Sequence, residues 1–70
     1  MEIFEVQPEH VVVGLTPREA LILSNALNEV INVIGYEDSE LSARLGADRS
    51  EAEAVLIQLE KVLELIPPFD

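Results

Sequence analysis

Helix boundary signals constrain this chain most tightly, because they divide its larger part into three helices. The first segment, LTPREALILSNALNEVINVIG, opens with Thr16 as N-cap, Pro17 at the first helical position and Glu19 three residues after the cap. Gly35 is suited to end this helix. Its apolar residues recur at helical spacing on one face, namely Ala20, Leu23, Leu27, Val30 and Ile34, flanked by Ala26 and Ile31. We therefore predict a long amphipathic helix.

Two more helices are expected downstream. The second is short, from about residue 39 to residue 45, with Asp38 as its cap and Gly46 as its end. The third begins after Asp48, which forms an Asp-x-x-Glu box with Glu51, and ends before Pro67-Pro68. Its main apolar stripe is Ala52, Val55, Leu56, Leu59, Leu63 and Ile66, widened by Ala54, Ile57, Val62 and Leu65. A helix this widely apolar is expected to contact two partners, within the chain or across a dimer.

The N-terminal residues predict a β-hairpin. Residues 3–6 and 10–13 are rich in β-branched side chains, and Pro8 lies between them at a turn. Two strands alone are marginal in water, so the hairpin should pack on the helices or pair with a second subunit. We predict an α+β fold of order ββααα, a single small domain over residues 1–70 with a frayed tail at residues 67–70.

Size favours a homodimer. A chain of 70 residues buries only about 60% of the surface that its unfolded form exposes. With no cysteine, it has neither disulfides nor cysteine-bound zinc to compensate. Oligomerisation is the remaining common means of stabilising so small a domain.

Charge restricts the partners. Four basic residues against fourteen acidic ones give a net charge of -10, which repels nucleic-acid phosphates and anionic lipid. A protein partner with a basic surface, or a second copy of the chain, is therefore expected. The acidic start of the chain and the absence of any apolar run of ~18 residues predict a cytoplasmic protein with no membrane contact.

Residues 38–57 resemble a helix-turn-helix unit. The pattern is carried by small and apolar residues at the matching offsets, namely Leu41, Ser42, Leu45, Gly46, Ala52 and Val55. The positions that would face DNA are Asp48, Arg49, Ser50 and Glu53, of which only Arg49 could contact a phosphate or a guanine. We therefore expect the helical pair to serve structure or protein contact. The alternative is a transcription-related helix-turn-helix protein.

Three asparagines mark the first helix. Asn25, Asn28 and Asn32 recur at spacings that place them near one face, although Asn is a poor helix former. They either cap the neighbouring connection through Tyr36 or the turn at residues 46–48, or form a contact surface completed by Glu29. The predicted partner-binding residues are Asn25, Asn28, Glu29, Asn32, Arg49 and Glu53.

Catalytic parts are missing from the sequence. His10 is the only histidine and has no partner at a recognisable spacing for a hydrolase or a metal site. The carboxylates of Glu37, Asp38 and Glu40 do not follow the calcium-loop pattern. We predict no enzyme activity, no metal and no cofactor.

The segments LSNALNEV, RLG and SEAEAVLIQL resemble a group of small, uncharacterised acidic bacterial proteins that share an ALNEV-type first helix and an RLG turn. The resemblance spans roughly residues 15–60 and implies a bacterial origin. Together with the charge, it leads us to expect a small acidic interaction module. Inhibitors or immunity-type proteins that cover a basic active site are one subclass that this charge would suit.

Overall fold

The computed structural model describes residues 1–67 and has the predicted order ββααα. The elements are β1 (Glu2–Val6), β2 (Val11–Gly14), α1 (Pro17–Asn28), a π-helical segment (Glu29–Val33), α2 (Asp38–Leu45) and α3 (Arg49–Leu65). The α+β prediction is therefore confirmed. The tail expected to fray lies outside the described residues beyond Pro67.

The hairpin leaves an aliphatic face uncovered. Its strands are antiparallel, with Ile3 opposite Val13 and Val6 opposite Val11, and the register shifts between Ile3 and Glu5. Opposite residues of a strand pair, and residues two apart in one strand, point to the same side. Ile3, Val6, Val11 and Val13 therefore form one surface, called here the hairpin face, and all four are exposed. The hairpin was predicted either to pack on the helices or to pair with a second subunit. The helices do not cover the hairpin face.

Helix α1 starts as its sequence predicts and ends differently. The Thr16 hydroxyl accepts from the Glu19 backbone N–H at 3.1 Å, and the Glu19 carboxylate accepts from the Thr16 N–H at 2.9 Å. After Asn28 the chain widens into the π-helical segment, where the Ile34 N–H donates to the Glu29 carbonyl, five residues back, at 3.0 Å. The continuous α-helix predicted up to Gly35 is therefore wrong in its last turns.

Helices α2 and α3 are joined by a tight turn. Gly46 ends α2 with a φ of 73°, a left-handed conformation that glycine adopts without the steric cost that a Cβ brings. Asp48 caps α3, as predicted, by accepting from the Glu51 N–H at 2.9 Å. The predicted cap of α2 is wrong, since Glu37 occupies that position and Asp38 is the first helical residue.

The core lies where α1 and the π-helical segment meet α3. Ile31, Ala52 and Leu56 are buried in one cluster, and Leu27 and Leu45 pack against it. The predicted apolar stripe of the first helix is wrong in part. Leu23 and Ile34, which were expected to be buried, are exposed. Ile31, which was expected at the flank of the stripe, is a central residue of the core. The wider π-helical turn changes the angular position of the residues that follow, so Ile34 leaves the buried side.

The chain exposes more surface than a compact monomer of the same mass. Its accessible surface is 5557 Å², whereas a compact monomer of 7.7 kDa exposes about 4,300 Å². Its radius of gyration is 13.7 Å, against about 11 Å for a compact chain of 70 residues. The exposed residues include many large apolar side chains on the hairpin, on α1 and on α3.

The core assignment predicts unequal effects of removing two isoleucines that lie three residues apart. Ile31 is 2% exposed and Ile34 is 51% exposed. Ile31→Ala should lower the free energy of unfolding by about 2–5 kcal/mol, because it leaves a cavity, and Ile34→Ala by less than about 1 kcal/mol. Urea unfolding of both variants at one protein concentration measures the difference. Equal losses would contradict the placement of the core.

Candidate protein-binding surface

The asparagine face lies on the exposed side of α1 and the π-helical segment. Asn25, Asn28, Glu29 and Asn32 are all exposed. The Asn32 side-chain amide donates to the Asn28 side-chain oxygen at 2.9 Å, across one helical turn. Within residues 1–67, the three asparagine side chains make no hydrogen bond to Tyr36 or to the turn at residues 46–48. This geometry favours the contact-surface interpretation over internal capping.

The π-helical segment runs through this face. It begins at Glu29 and contains Asn32, so two of the predicted contact residues lie in the widened turn. Segments of π-helix are rare and are frequent at functional sites. No local signal marks the segment, because EVINV contains neither proline nor glycine. The feature therefore adds support to the face that the asparagine spacing indicated.

Arg49 is occupied within its own chain. Its Nη1 donates to the Ile31 carbonyl at 3.0 Å, its Nη2 to the Tyr36 carbonyl at 2.9 Å and its Nε to Asp38 Oδ1 at 2.7 Å. The guanidinium thus joins the start of α3 to the π-helical segment, to the following connection and to α2. Three of its five N–H groups are committed internally, which weakens the case for Arg49 as a DNA or partner contact.

Glu53 lies one turn beyond Arg49, on the exposed side of α3. Both residues line an open depression of about 350 Å³ with Asp38, Asp48 and Ser50. Three of these five side chains are carboxylates, and the only cation is the internally bonded Arg49. The predicted site residues therefore fall into two groups, the asparagine face and this acidic depression.

An apolar groove lies outside the predicted partner-binding residues. It has a volume of about 430 Å³ and lies between α1 and α3. Its lining is Leu23, Ala26, Leu27, Val30, Leu45, Val55 and Leu59, called here the groove. Leu27 and Leu45 also pack on the core, so the floor of the groove continues the buried cluster. The predicted width of the α3 stripe was the signal for it, although the sequence did not locate it.

The carboxylates outnumber the cations that accompany them. Arg44 pairs with Glu40 at 3.0 Å, and Arg49 pairs with Asp38. Arg44 also stacks over the Tyr36 ring, 4.7 Å from its centroid. The whole chain has fourteen acidic residues and only four Lys and Arg residues. Most carboxylates therefore lack a basic partner, and together they produce a negative electrostatic potential around the chain.

Hydrogen bonds lower the pKa of two capping carboxylates. The Glu51 backbone N–H and then the Ser50 hydroxyl, at 2.8 Å, favour the charged form of Asp48 and hold its pKa below the ordinary value of 3.8. The N-terminal ammonium group, and after it the Thr16 backbone N–H, lower the pKa of Glu19 in the same way. Both groups are therefore charged at neutral pH and stabilise the starts of their helices.

Comparisons of the chain with protein-family models, with curated proteins and with solved structures found no match. Within residues 1–67, no helix combines the length and the apolar character needed to cross a bilayer. Across the same part of the chain, the His, Asp and Glu side chains form no group of three or more that could hold a metal ion.

The Arg49 hydrogen bonds predict a large effect of a conservative change. Arg49→Lys keeps the charge, but a single ammonium group cannot reach three acceptors on separate elements. The substitution should therefore lower the free energy of unfolding by about 1–3 kcal/mol. Arg18→Lys, at an exposed position of α1, should change stability by less than about 0.5 kcal/mol. Thermal or urea unfolding compares them, and an unaffected Arg49→Lys variant would refute the assigned role.

The Asp48 cap predicts a defined pH dependence. Because its folded pKa is lowered, its stabilising effect is complete above the unfolded value of 3.8 and is lost as the pH falls through the folded value. Asp48→Asn retains an N-cap but cannot ionise. The stability difference between the wild type and this variant should therefore shrink below pH 3.8, as measured by urea unfolding across acidic pH. A difference that grows on acidification would contradict the cap.

Proposed function

We propose that this chain is an acidic protein–protein interaction module, a homodimer that binds a basic protein partner. The observation that carries the proposal is the exposure of apolar side chains on two surfaces, the hairpin face and the groove. Monomeric proteins rarely expose large contiguous apolar patches, which usually mark contacts with other proteins.

The net charge of the chain supports a partner protein with a basic surface. A net charge of -10 accelerates association with a positively charged protein and opposes binding to nucleic acid or anionic lipid. Inhibitors and immunity-type proteins that cover a basic active site are the subclass that this charge suits best.

The asparagine face is the proposed contact surface for that partner. Asn25, Asn28 and Asn32 offer amide donors and acceptors, and Glu29 adds a carboxylate that a basic side chain can pair with. Their exposure, the Asn28–Asn32 hydrogen bond and the π-helical turn support this assignment. The acidic depression at Glu53 would extend the negative surface presented to the partner.

Capture experiments test the proposal. The tagged chain is incubated with lysate of its own host, with and without nuclease, and the proteins retained are identified by mass spectrometry. The interaction proposal predicts a stoichiometric basic protein that survives nuclease treatment. Captures that vanish with nuclease would instead support the helix-turn-helix alternative.

Binding measurements with the purified partner then test the face. Changing Asn25, Asn28 and Asn32 together to Gln should leave the circular dichroism spectrum unchanged and weaken the complex at least about tenfold, because the longer amides are misplaced by one methylene. Gln58→Asn, an exposed amide change on α3, is the matched control. Added salt should also weaken the complex. Unchanged affinity in the triple variant would exclude this face.

A further inference from the structure

We propose that the outer edge of β1 binds an extended segment of the partner protein in which apolar and basic side chains alternate. This inference rests on the proposed function for the basic character of the partner, and it adds a second contact surface to the asparagine face. The segment would pair with β1 as a third strand. Its apolar side chains would pack beside Ile3 and Val6, and its basic side chains beside Glu2 and Glu5.

The backbone of the hairpin has room for a third strand. Within residues 1–67 the sheet consists of β1 and β2 only, so each strand pairs along one side. The N–H and C=O groups on the outer side of a strand can pair with another extended chain. Every residue of β1 is exposed, so no helix covers that side. Two strands alone are marginal in water, and a third strand would stabilise them.

An irregularity of β1 places two carboxylates on one side of the sheet. In a regular strand, residues three apart point to opposite faces. The register shifts between Ile3 and Glu5, and Glu2 therefore lies opposite Gly14. Glu5 lies opposite Val12, which points to the same side of β2 as Gly14. Both carboxylates thus point away from the hairpin face, which stays wholly apolar.

This division of the two faces fits an alternating segment. Side chains two apart in an added strand point to one side, and those between them point to the other. Basic residues at every second position would therefore lie on the side of Glu2 and Glu5. The apolar residues between them would continue the hairpin face. A segment without this alternation would place charges on the apolar side or apolar groups beside the carboxylates.

The local charge of the hairpin favours basic side chains. Residues 1–17 contain three glutamates and no Lys or Arg. The N-terminal ammonium group pairs with Glu19, on α1. Glu5 accepts from the Gln7 amide and lies 3.6 Å from His10, neither of which carries a permanent charge. A lysine or arginine of an added strand would therefore meet carboxylates without a permanent counter-charge, and opposite-charge pairs between strands are favourable.

Other occupants fit this edge less well. A second copy that paired through its own β1 would bring Glu2 and Glu5 close to the same residues of the first copy, and like charges opposite one another destabilise a sheet. Nucleic acid is repelled by the same carboxylates. A helix has no free backbone groups with which to pair along the strand, whereas an extended chain does.

Synthetic peptides and the full chain test the proposal. The probe alternates lysine with valine, and its control has the same composition with the lysines in one block. Isothermal titration calorimetry gives the affinities, and NMR chemical shifts of the backbone amides locate the site. We expect the alternating peptide to bind more tightly and to shift the amides of β1. Equal affinities, or shifts confined to the helices, would overturn the proposal.

Two pairs of charge-removing substitutions separate a local effect from net charge. Glu2→Gln with Glu5→Gln should weaken binding of the alternating peptide about two- to thirtyfold, because two cross-strand charge pairs are lost. Glu60→Gln with Glu64→Gln, at exposed positions of α3, removes the same charge and should weaken it less than about twofold. Equal weakening by both pairs would show a net-charge effect and contradict the assigned edge.

A backbone-modified peptide tests the pairing itself. The alternating peptide with N-methylated peptide bonds keeps its side chains but has no N–H donors, and it should lose binding. Retained binding would contradict strand addition. Sedimentation velocity tests a second copy as occupant: self-association that rises when Glu2 and Glu5 are changed to Gln would overturn the proposal. Either failure leaves the asparagine face to its own test with the captured partner.

Discussion

The hydrogen bonds of the Arg49 guanidinium connect α2, which is too short to be stable in isolation, to the preceding segments of the fold. Helix α2 has eight residues, and helices shorter than about 12 residues are marginal in water without tertiary contacts. Arg49 connects its first residue, Asp38, to carbonyl groups of Ile31 and Tyr36 on the preceding segments. These bonds set where α2 and α3 lie relative to the π-helical segment. An arginine that resembles a DNA contact in the sequence is thus the organising residue of the helical layer.

The π-helical segment determines how the apolar side of the first helix is divided. It turns Ile31 into the core beside Ala52 and Leu56, and it leaves Ile34 in solvent. Leu23, Ala26 and Val30, on the same helix, line the groove instead. One apolar stripe therefore serves two surfaces, an internal core and an exposed groove. A small chain with little core of its own thus keeps apolar side chains exposed.

Sequence reasoning succeeded where the cause of a feature is local. The Thr16-Pro17-Glu19 start of α1, the left-handed Gly46 and the Asp48 cap are each decided by residues within one turn. It failed where distant residues compete for a group. Asp38 could not be recognised as a partner of Arg49, eleven positions away, and was expected to cap α2 instead. The π-helical turn and the groove depend on packing against α3, which local propensity does not record.

In the proposed homodimer, exposed apolar surface joins two copies of a highly acidic chain. Sedimentation equilibrium of the unmodified protein at increasing sodium chloride concentration tests it most directly. Two copies of charge -10 repel one another, so screening should strengthen an apolar dimer, and its dissociation constant should fall as salt rises. A chain that remains at 7.7 kDa over all protein and salt concentrations would rule out the proposed homodimer.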